Sequence, residues 1–346
     1  MHEDQVIRHV EIDGRTVAWS SSGSGPPLVI GGWWSSHLEL DWGDPAFRAF
    51  VERLGEHRTV IRYDRPGTGM SDRIGGVPQG IDAELVFLDG LVREVGLDRI
   101  DLLGASSGCA VASALAAHRP DVVHRLVLYG GYARGEEIAP PAARRSLLAT
   151  VEAHWGLGSR VLTDIFLPQA GPAERDQFVE FQRRSVTPSV AAASLRSVYE
   201  FDATPHLSLV RSPTLVLHRR DDGAIPFALG RDLAARIPGA QFVALDGVDH
   251  LPWRGDVSEL LRHVIGFLGG FVPEEPPARV PLATELSLRE REILALVAQG
   301  HTDGQIAAHL VLSAHTVHRH VANIRTKLGV SSRAAAAAWA VANDVI

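Results

Sequence analysis

The chain has 346 residues, of which 45% are apolar and 22% charged, with 33 Gly and 20 Pro. That composition supplies a sizeable core and excludes a disordered chain, and the length favours one large domain followed by one small one. A net charge of −7 excludes a protein that coats nucleic acid along its whole length, yet the stretch from Ala283 onward carries +1 against −8 for the rest, so a small basic face follows an acidic body. Along the first 130 residues, short β-branched runs alternate with helical patterns. The runs are Val6–Ile12, Thr16–Trp19, Leu28–Ile30, Thr59–Tyr63, Ile100–Leu103 and Arg125–Tyr129; the helical patterns include Ala46–Leu54 and Asp82–Val95. Such alternation predicts a mostly parallel sheet wrapped by helices. The single cysteine, Cys109, excludes an intrachain disulfide, and with no signal-like start and no long apolar run a cytoplasmic protein without a membrane span is expected.

From about Tyr132 to His206 the strand pattern lapses, and Ala, Leu, Arg and aromatic residues recur at helical spacing; Thr214–Leu217 and Gln241–Leu245 then resume it. This predicts a helical cap, about 132–206, inserted into one α/β domain over 1–270. Gly269 and Gly270 are followed by Pro273, Pro276, Pro277 and Pro281 around Glu274 and Glu275, which marks 271–285 as a linker. Beyond it, 286–346 reads as helix throughout. Ser287 with Glu290 and Thr302 with Gln305 fit the capping-box pattern, and Ser313 precedes a further apolar-periodic run.

Gly104-Ala105-Ser106-Ser107-Gly108 is a G-x-S-x-G between a predicted strand and a predicted helix, the context in which a serine hydroxyl stands exposed above a sheet. A serine needs a base, and the base needs an acid to orient it. Asp221 and Asp222 follow the strand at Thr214–Leu217, and His250 follows the strand at Gln241–Leu245, so all three motifs fall where the carboxyl ends of parallel strands converge. Over nearly all of 1–270 the sequence resembles the α/β-hydrolase family. By that resemblance the catalytic residues are Ser106, Asp222 (with Asp221 as the alternative) and His250, and the oxyanion hole uses the amides of Ser107 and Trp33. The loop before Trp33 departs from the family's His-Gly and reads Gly31-Gly32. Trp34, Trp42 and Trp253, with the cap aromatics Trp155, Phe166, Phe178, Phe181 and Tyr199, point to an apolar pocket for an acyl or ring-containing small molecule. No metal ligand set or cofactor motif is read, so neither is expected.

In the last 60 residues, Val317, Val321, Ile324 and Leu328 form one apolar stripe, opposite His318, Arg319, Ala322 and Arg325. A short helix, a three-residue turn and a second helix with a basic face make a helix-turn-helix pattern. From about Leu286 to Ala340 the sequence resembles the LuxR-type (GerE-like) helix-turn-helix. The resemblance places His318, Arg319 and Ala322 at the bases of double-stranded operator DNA and Thr316, His320 and Lys327 at its phosphates. It also makes the last helix, Arg333–Ala342, the pairing surface of a homodimer. The expected function is a DNA-binding transcription regulator whose hydrolase-like body binds, and slowly hydrolyses, a small apolar ester or lactone. Two alternatives stay open: a serine esterase or lactonase with an accessory DNA-binding tail, and a pseudoenzyme regulated by a protein partner.

Overall fold

Asp13-Gly14 is the kind of dipeptide that accepts two consecutive left-handed conformations. With φ of 49° and 71° it closes a two-residue hairpin between strands β1 (Val6–Ile12) and β2 (Arg15–Gly23). This hairpin is the antiparallel edge of the sheet; the following strands are wound by helices. In chain order come β3 (Pro27–Ile30), helices α1 (Leu38–Trp42) and α2 (Pro45–Gly55), β4 (Thr59–Tyr63), α3 (Ile81–Glu94), β5 (Ile100–Ala105), α4 (Gly108–His118) and β6 (Val123–Tyr129). After β6 the chain makes a 3-10 turn (Gly135–Glu137) and five helices: α5 (Pro141–Ala153), α6 (Trp155–Phe166), α7 (Pro172–Ser185), α8 (Pro188–Glu200) and the short α9 (Thr204–Leu207). It then returns to the sheet as β7 (Thr214–Arg219), α10 (Phe227–Arg236), β8 (Gln241–Leu245) and α11 (Val257–Phe267). The eight strands lie in the order β1-β2-β4-β3-β5-β6-β7-β8, with β2 antiparallel to β4 and every pair from β4 to β8 parallel.

The computed structural model describes residues 5–269, 286–328, 330 and 332–342. The chain divides into two compact units, Met1–Phe271 and Val272–Ile346. The expected linker, 271–285, lies outside the described residues.

In the first unit β5 is buried at all six positions, as a central parallel strand covered on both faces must be. Phe47, Phe50, Leu88, Leu91 and Leu115, on the helices that flank the sheet, are fully buried, each contributing roughly 1.5–3 kcal/mol. The helices between β6 and β7 have their own small core around Val151, Trp155, Leu162, Val190 and Leu195, reached from the sheet side by Trp34. Their starts are written in the sequence. Pro141, Pro172 and Pro188 each occupy the first helical position, where a missing N–H costs nothing. His154 and Thr187 accept from the backbone of Leu157 and Val190.

The second unit is α12 (Leu288–Ala298), α13 (Asp303–Leu310), α14 (Ala314–Leu328) and α15 (Arg333–Ala342) around a core of Ile293, Leu294, Ile306, Val317, Ile324 and Ala340. Both predicted capping boxes form, Ser287 with Glu290 and Thr302 with Gln305. The turn from α13 to α14 runs through Val311 at φ 55°, a position that strains a β-branched residue, and the Leu312 amide closes it on the Ala307 carbonyl at 2.9 Å. Among the described residues no helix is long and apolar enough to cross a membrane, and no cluster of His, Cys, Asp and Glu could hold a metal ion.

Candidate active site and nucleic-acid interface

Ser106 stands between β5 and α4 with φ of 55°, a left-handed conformation that costs a residue with a side chain roughly 1–3 kcal/mol and aims its hydroxyl away from the sheet. Its amide is tied to the Tyr129 carbonyl of β6 at 2.9 Å. The two motif glycines have no room for a side chain. A Cβ at Gly104 would lie 2.9 Å from the Gly108 carbonyl oxygen, and one at Gly108 would lie 2.6 Å from the Gly32 carbonyl oxygen. The second contact shows how closely the backbone of Gly31 and Gly32, just before Trp33, approaches the first turn of α4, whose N-cap residue is Ser107.

Asp222 follows β7 and is buried. Its Oδ1 accepts from the amides of Ala224 (2.8 Å) and Ile225 (3.1 Å), and its Oδ2 faces His250 Nδ1 at 2.8 Å. Asp221 is exposed, so of the acidic pair it is Asp222 that meets the imidazole. With Nδ1–H donated to the carboxylate, His250 Nε2 is the basic nitrogen; it is buried and has no hydrogen-bond partner among the described residues. Burial alone would raise the Asp222 carboxyl, but the charge and hydrogen bond of His250 outweigh it and hold the group below its ordinary value. Its native value lies below the unfolded one, so its contribution to stability is present at neutral pH and is lost on acidification through the native value.

Several residues that the sequence did not single out hold this arrangement. Arg65 and Glu84, both buried, form a bidentate ion pair, and Arg65 Nη1 donates to the carbonyls of Trp33 (3.2 Å) and Trp34 (3.4 Å). Arg219, 1% exposed at the end of β7, donates Nη1 to the carbonyls of Asp249 (2.6 Å) and Leu251 (3.1 Å) and Nη2 to that of Arg254. It thereby clamps the loop that carries His250. His218 is fully buried, with Nε2 2.9 Å from the Ile225 carbonyl and 3.7 Å from Asp222 Oδ2. Desolvation first, and the nearby His250, push its pKa down against the pull of Asp222, so it stays neutral. From the cap, the Phe166 carbonyl accepts the His250 amide at 2.9 Å and the Phe166 ring stacks on the imidazole, centroids 5.5 Å apart.

Ser106 opens on two compartments. One is a slot of about 30 Å³ lined by Trp33, Ser35, Phe178, Phe181, His250 and Trp253. The other is a chamber of about 530 Å³ walled by α5, α6, α8 and the Gly223–Pro226 turn. Trp34 and Phe166 belong to both. Of the three tryptophans expected around the pocket, Trp34 and Trp253 line it. Trp42 does not: α1 turns the chain away, and its ring packs against the guanidinium groups of Arg48 (5.3 Å) and Arg62 (5.6 Å).

In the second unit Val317, Val321, Ile324 and Leu328 are buried, which turns His318, Arg319 and Ala322 outward on α14. Thr316 is half-buried and pairs with Ser313 Oγ at 2.7 Å at the start of the helix, and His320 is also half-buried. His318 Nδ1 lies 3.4 Å from Asp303. Lys327 is partly exposed, but its Nζ lies 2.7 Å from Glu290 Oε2, the carboxylate that also closes the α12 capping box. On α15, Ala336 and Ala340 are buried in the unit's own core.

Comparison with known proteins gives two family matches: residues 28–262 match the alpha/beta hydrolase family, and 284–340 match the luxR family of bacterial regulatory proteins (GerE). The chain is similar to 2-hydroxy-6-oxo-2,4-heptadienoate hydrolase of Pseudomonas putida, 27% identical over 195 residues that cover 52% of this chain and 67% of that one. Among solved structures it is similar to the enol-lactonase of Burkholderia xenovorans LB400, with a TM-score of 0.62 and 25% identity over 76% of this chain and all of that one. It is also similar to a thermophilic esterase of Thermogutta terrifontis, with a TM-score of 0.61 and 27% identity over 77% of this chain and 98% of that one. The chain belongs to the α/β-hydrolase family and ends in a DNA-binding helix-turn-helix domain of the luxR family of bacterial regulatory proteins.

Proposed function

We propose that this chain is a cytoplasmic, homodimeric transcription regulator whose hydrolase unit binds a small apolar ester or lactone and hydrolyses it slowly. The observation that carries the reading is that Ser106, held in a left-handed elbow, opens on a large apolar chamber in a chain that also carries a DNA-binding domain. The hydrolases named above, one an enol-lactonase and one an esterase, support the ligand class.

In the proposed chemistry Ser106 Oγ attacks the acyl carbon while His250 Nε2 takes its proton. Asp222 holds the imidazole in the required tautomer and stabilises its charged form. The amides of Trp33 and Ser107 would receive the oxyanion, each well-aimed donor being worth about 2.7–4 kcal/mol in the transition state. The C–O bond then breaks with the proton passing from His250 to the alcohol oxygen. Water, activated by the same imidazole, releases the acid and restores the serine.

On the DNA side, His318, Arg319 and Ala322 face the bases, and Thr316, His320 and Lys327 lie at the phosphates. For Lys327 this means exchanging the Glu290 carboxylate for a phosphate. The test uses a cognate site selected from random-sequence DNA. Arg319→Ala is expected to weaken that site by about 1–3 kcal/mol, roughly 5- to 150-fold, with little effect on unrelated DNA. Lys327→Ala, checked for folding, is expected to weaken all DNA alike and to reduce the salt slope by about one. An Arg319→Ala protein that loses affinity equally for every sequence would contradict this assignment of the recognition face.

A further inference from the structure

The two compartments at Ser106 differ in size and chemistry, and His250 lines only the smaller one. Acyl transfer ends with the bond between the acyl carbon and the alcohol oxygen breaking as the imidazolium gives its proton to that oxygen, so the alcohol oxygen has to lie on the His250 side. That side is the slot of about 30 Å³, room for roughly two water-sized groups. Its wall on the cap side is the stacked pair Phe178 and Phe181 of α7, ring centroids 5.7 Å apart. The acyl part is left with the chamber of about 530 Å³, a size within the usual range for whole small-molecule ligands. No charged side chain lines the chamber among the described residues; besides Ser106, its polar side chains are Ser146, Thr150 and Tyr199. Trp34, Phe166 and Ser106 line both compartments, so the two meet at the serine.

We infer that the chamber takes the acyl chain and the slot takes the alcohol, so that the favoured substrates are esters joining a long, uncharged, apolar acid to a one- or two-carbon alcohol. The inference rests on the hydrolytic reading above and adds a direction to it. The overall reaction balances as ester plus water giving the long acid and the small alcohol, with no other reactant.

An isomeric pair isolates direction from hydrophobicity, because methyl decanoate and nonyl acetate contain the same atoms. With the full-length protein, kcat/KM is expected to be at least ten-fold higher for methyl decanoate, with nonyl acetate inhibiting its hydrolysis competitively by entering the chamber the wrong way round. Leu147→Trp, which fills the chamber from α5, is expected to lower kcat/KM for methyl decanoate at least ten-fold more than for methyl butanoate. Phe178→Ala, which opens the slot, is expected to raise the ratio of butyl to methyl decanoate turnover several-fold. Equal or faster hydrolysis of nonyl acetate would overturn the direction while leaving the hydrolytic reading standing. Hydrolysis of neither isomer would overturn both, and binding of methyl decanoate to Ser106→Ala would then show whether the ligand-binding half of the proposed function survives.

Discussion

Ser106→Ala is expected to abolish covalent capture of a fluorophosphonate and to reduce ester hydrolysis by on the order of 10⁴–10⁶-fold, the range in which a serine hydrolase without its nucleophile falls back on binding and the oxyanion hole. Asp222→Asn is expected to cost about 10⁴-fold, because an amide presents a donor or a neutral acceptor to His250 Nδ1 and no longer fixes the tautomer that leaves Nε2 basic. The neighbouring His218 gives the control. It is hydrogen-bonded to the Ile225 carbonyl and lies 3.7 Å from the same carboxylate, so His218→Gln is expected to shift the Asp222 environment with a far smaller loss. Mass spectrometry of the labelled protein checks the first point, and label retained on Ser106→Ala would show that another residue is the nucleophile.

Arg65→Met is expected to destabilise the hydrolase unit by about 3–5 kcal/mol, since it leaves the Glu84 carboxylate, 1% exposed, charged and unpaired. It also removes the donor that holds the Trp33 and Trp34 carbonyls, and with them the orientation of the loop that carries the proposed oxyanion donor Trp33. The double substitution Arg65→Met with Glu84→Leu separates the two effects. Much of the stability is expected to return, because an apolar pair of similar volume replaces the ion pair, whereas the rate of fluorophosphonate capture is expected to stay low. Urea unfolding followed beside the labelling rate makes the comparison. Full recovery of labelling in the double variant would show that Arg65 supports only the fold.

What could be read from the sequence was what is local. The serine elbow is five consecutive residues between a strand and a helix, and the capping boxes at Ser287 and Thr302 span four positions each, so spacing alone places them. Pairs that meet across the fold leave no such trace. Arg65 and Glu84 are 19 positions apart, Arg219 reaches the carbonyl of Asp249 30 positions on, and neither contact follows a helical or strand period. Nearness in sequence also misled. Trp42 was expected at the pocket because Trp33 and Trp34 are, yet the short α1 between them redirects the chain and stacks Trp42 on arginines. Lys327 reads in the sequence as part of a basic face, but Glu290, legible only as a capping residue, is its partner in the fold. The unequal compartments depend on how α5 to α8 sit over Ser106, which no spacing encodes.

For the proposed regulator to respond to its ligand, occupancy of the hydrolase chamber and binding of DNA have to be coupled. A ligand shifts DNA affinity only through a difference in its affinity for the two states, and that coupling is reciprocal. The direct measurement is a titration of full-length Ser106→Ala protein with an ester that the wild-type protein hydrolyses, in the absence and in the presence of saturating cognate DNA. The account predicts dissociation constants that differ by about 5- to 150-fold, with the same factor appearing when DNA is titrated with and without the ester. Equal constants for an ester whose binding is lost in Leu147→Trp, and which therefore occupies the chamber, would contradict it.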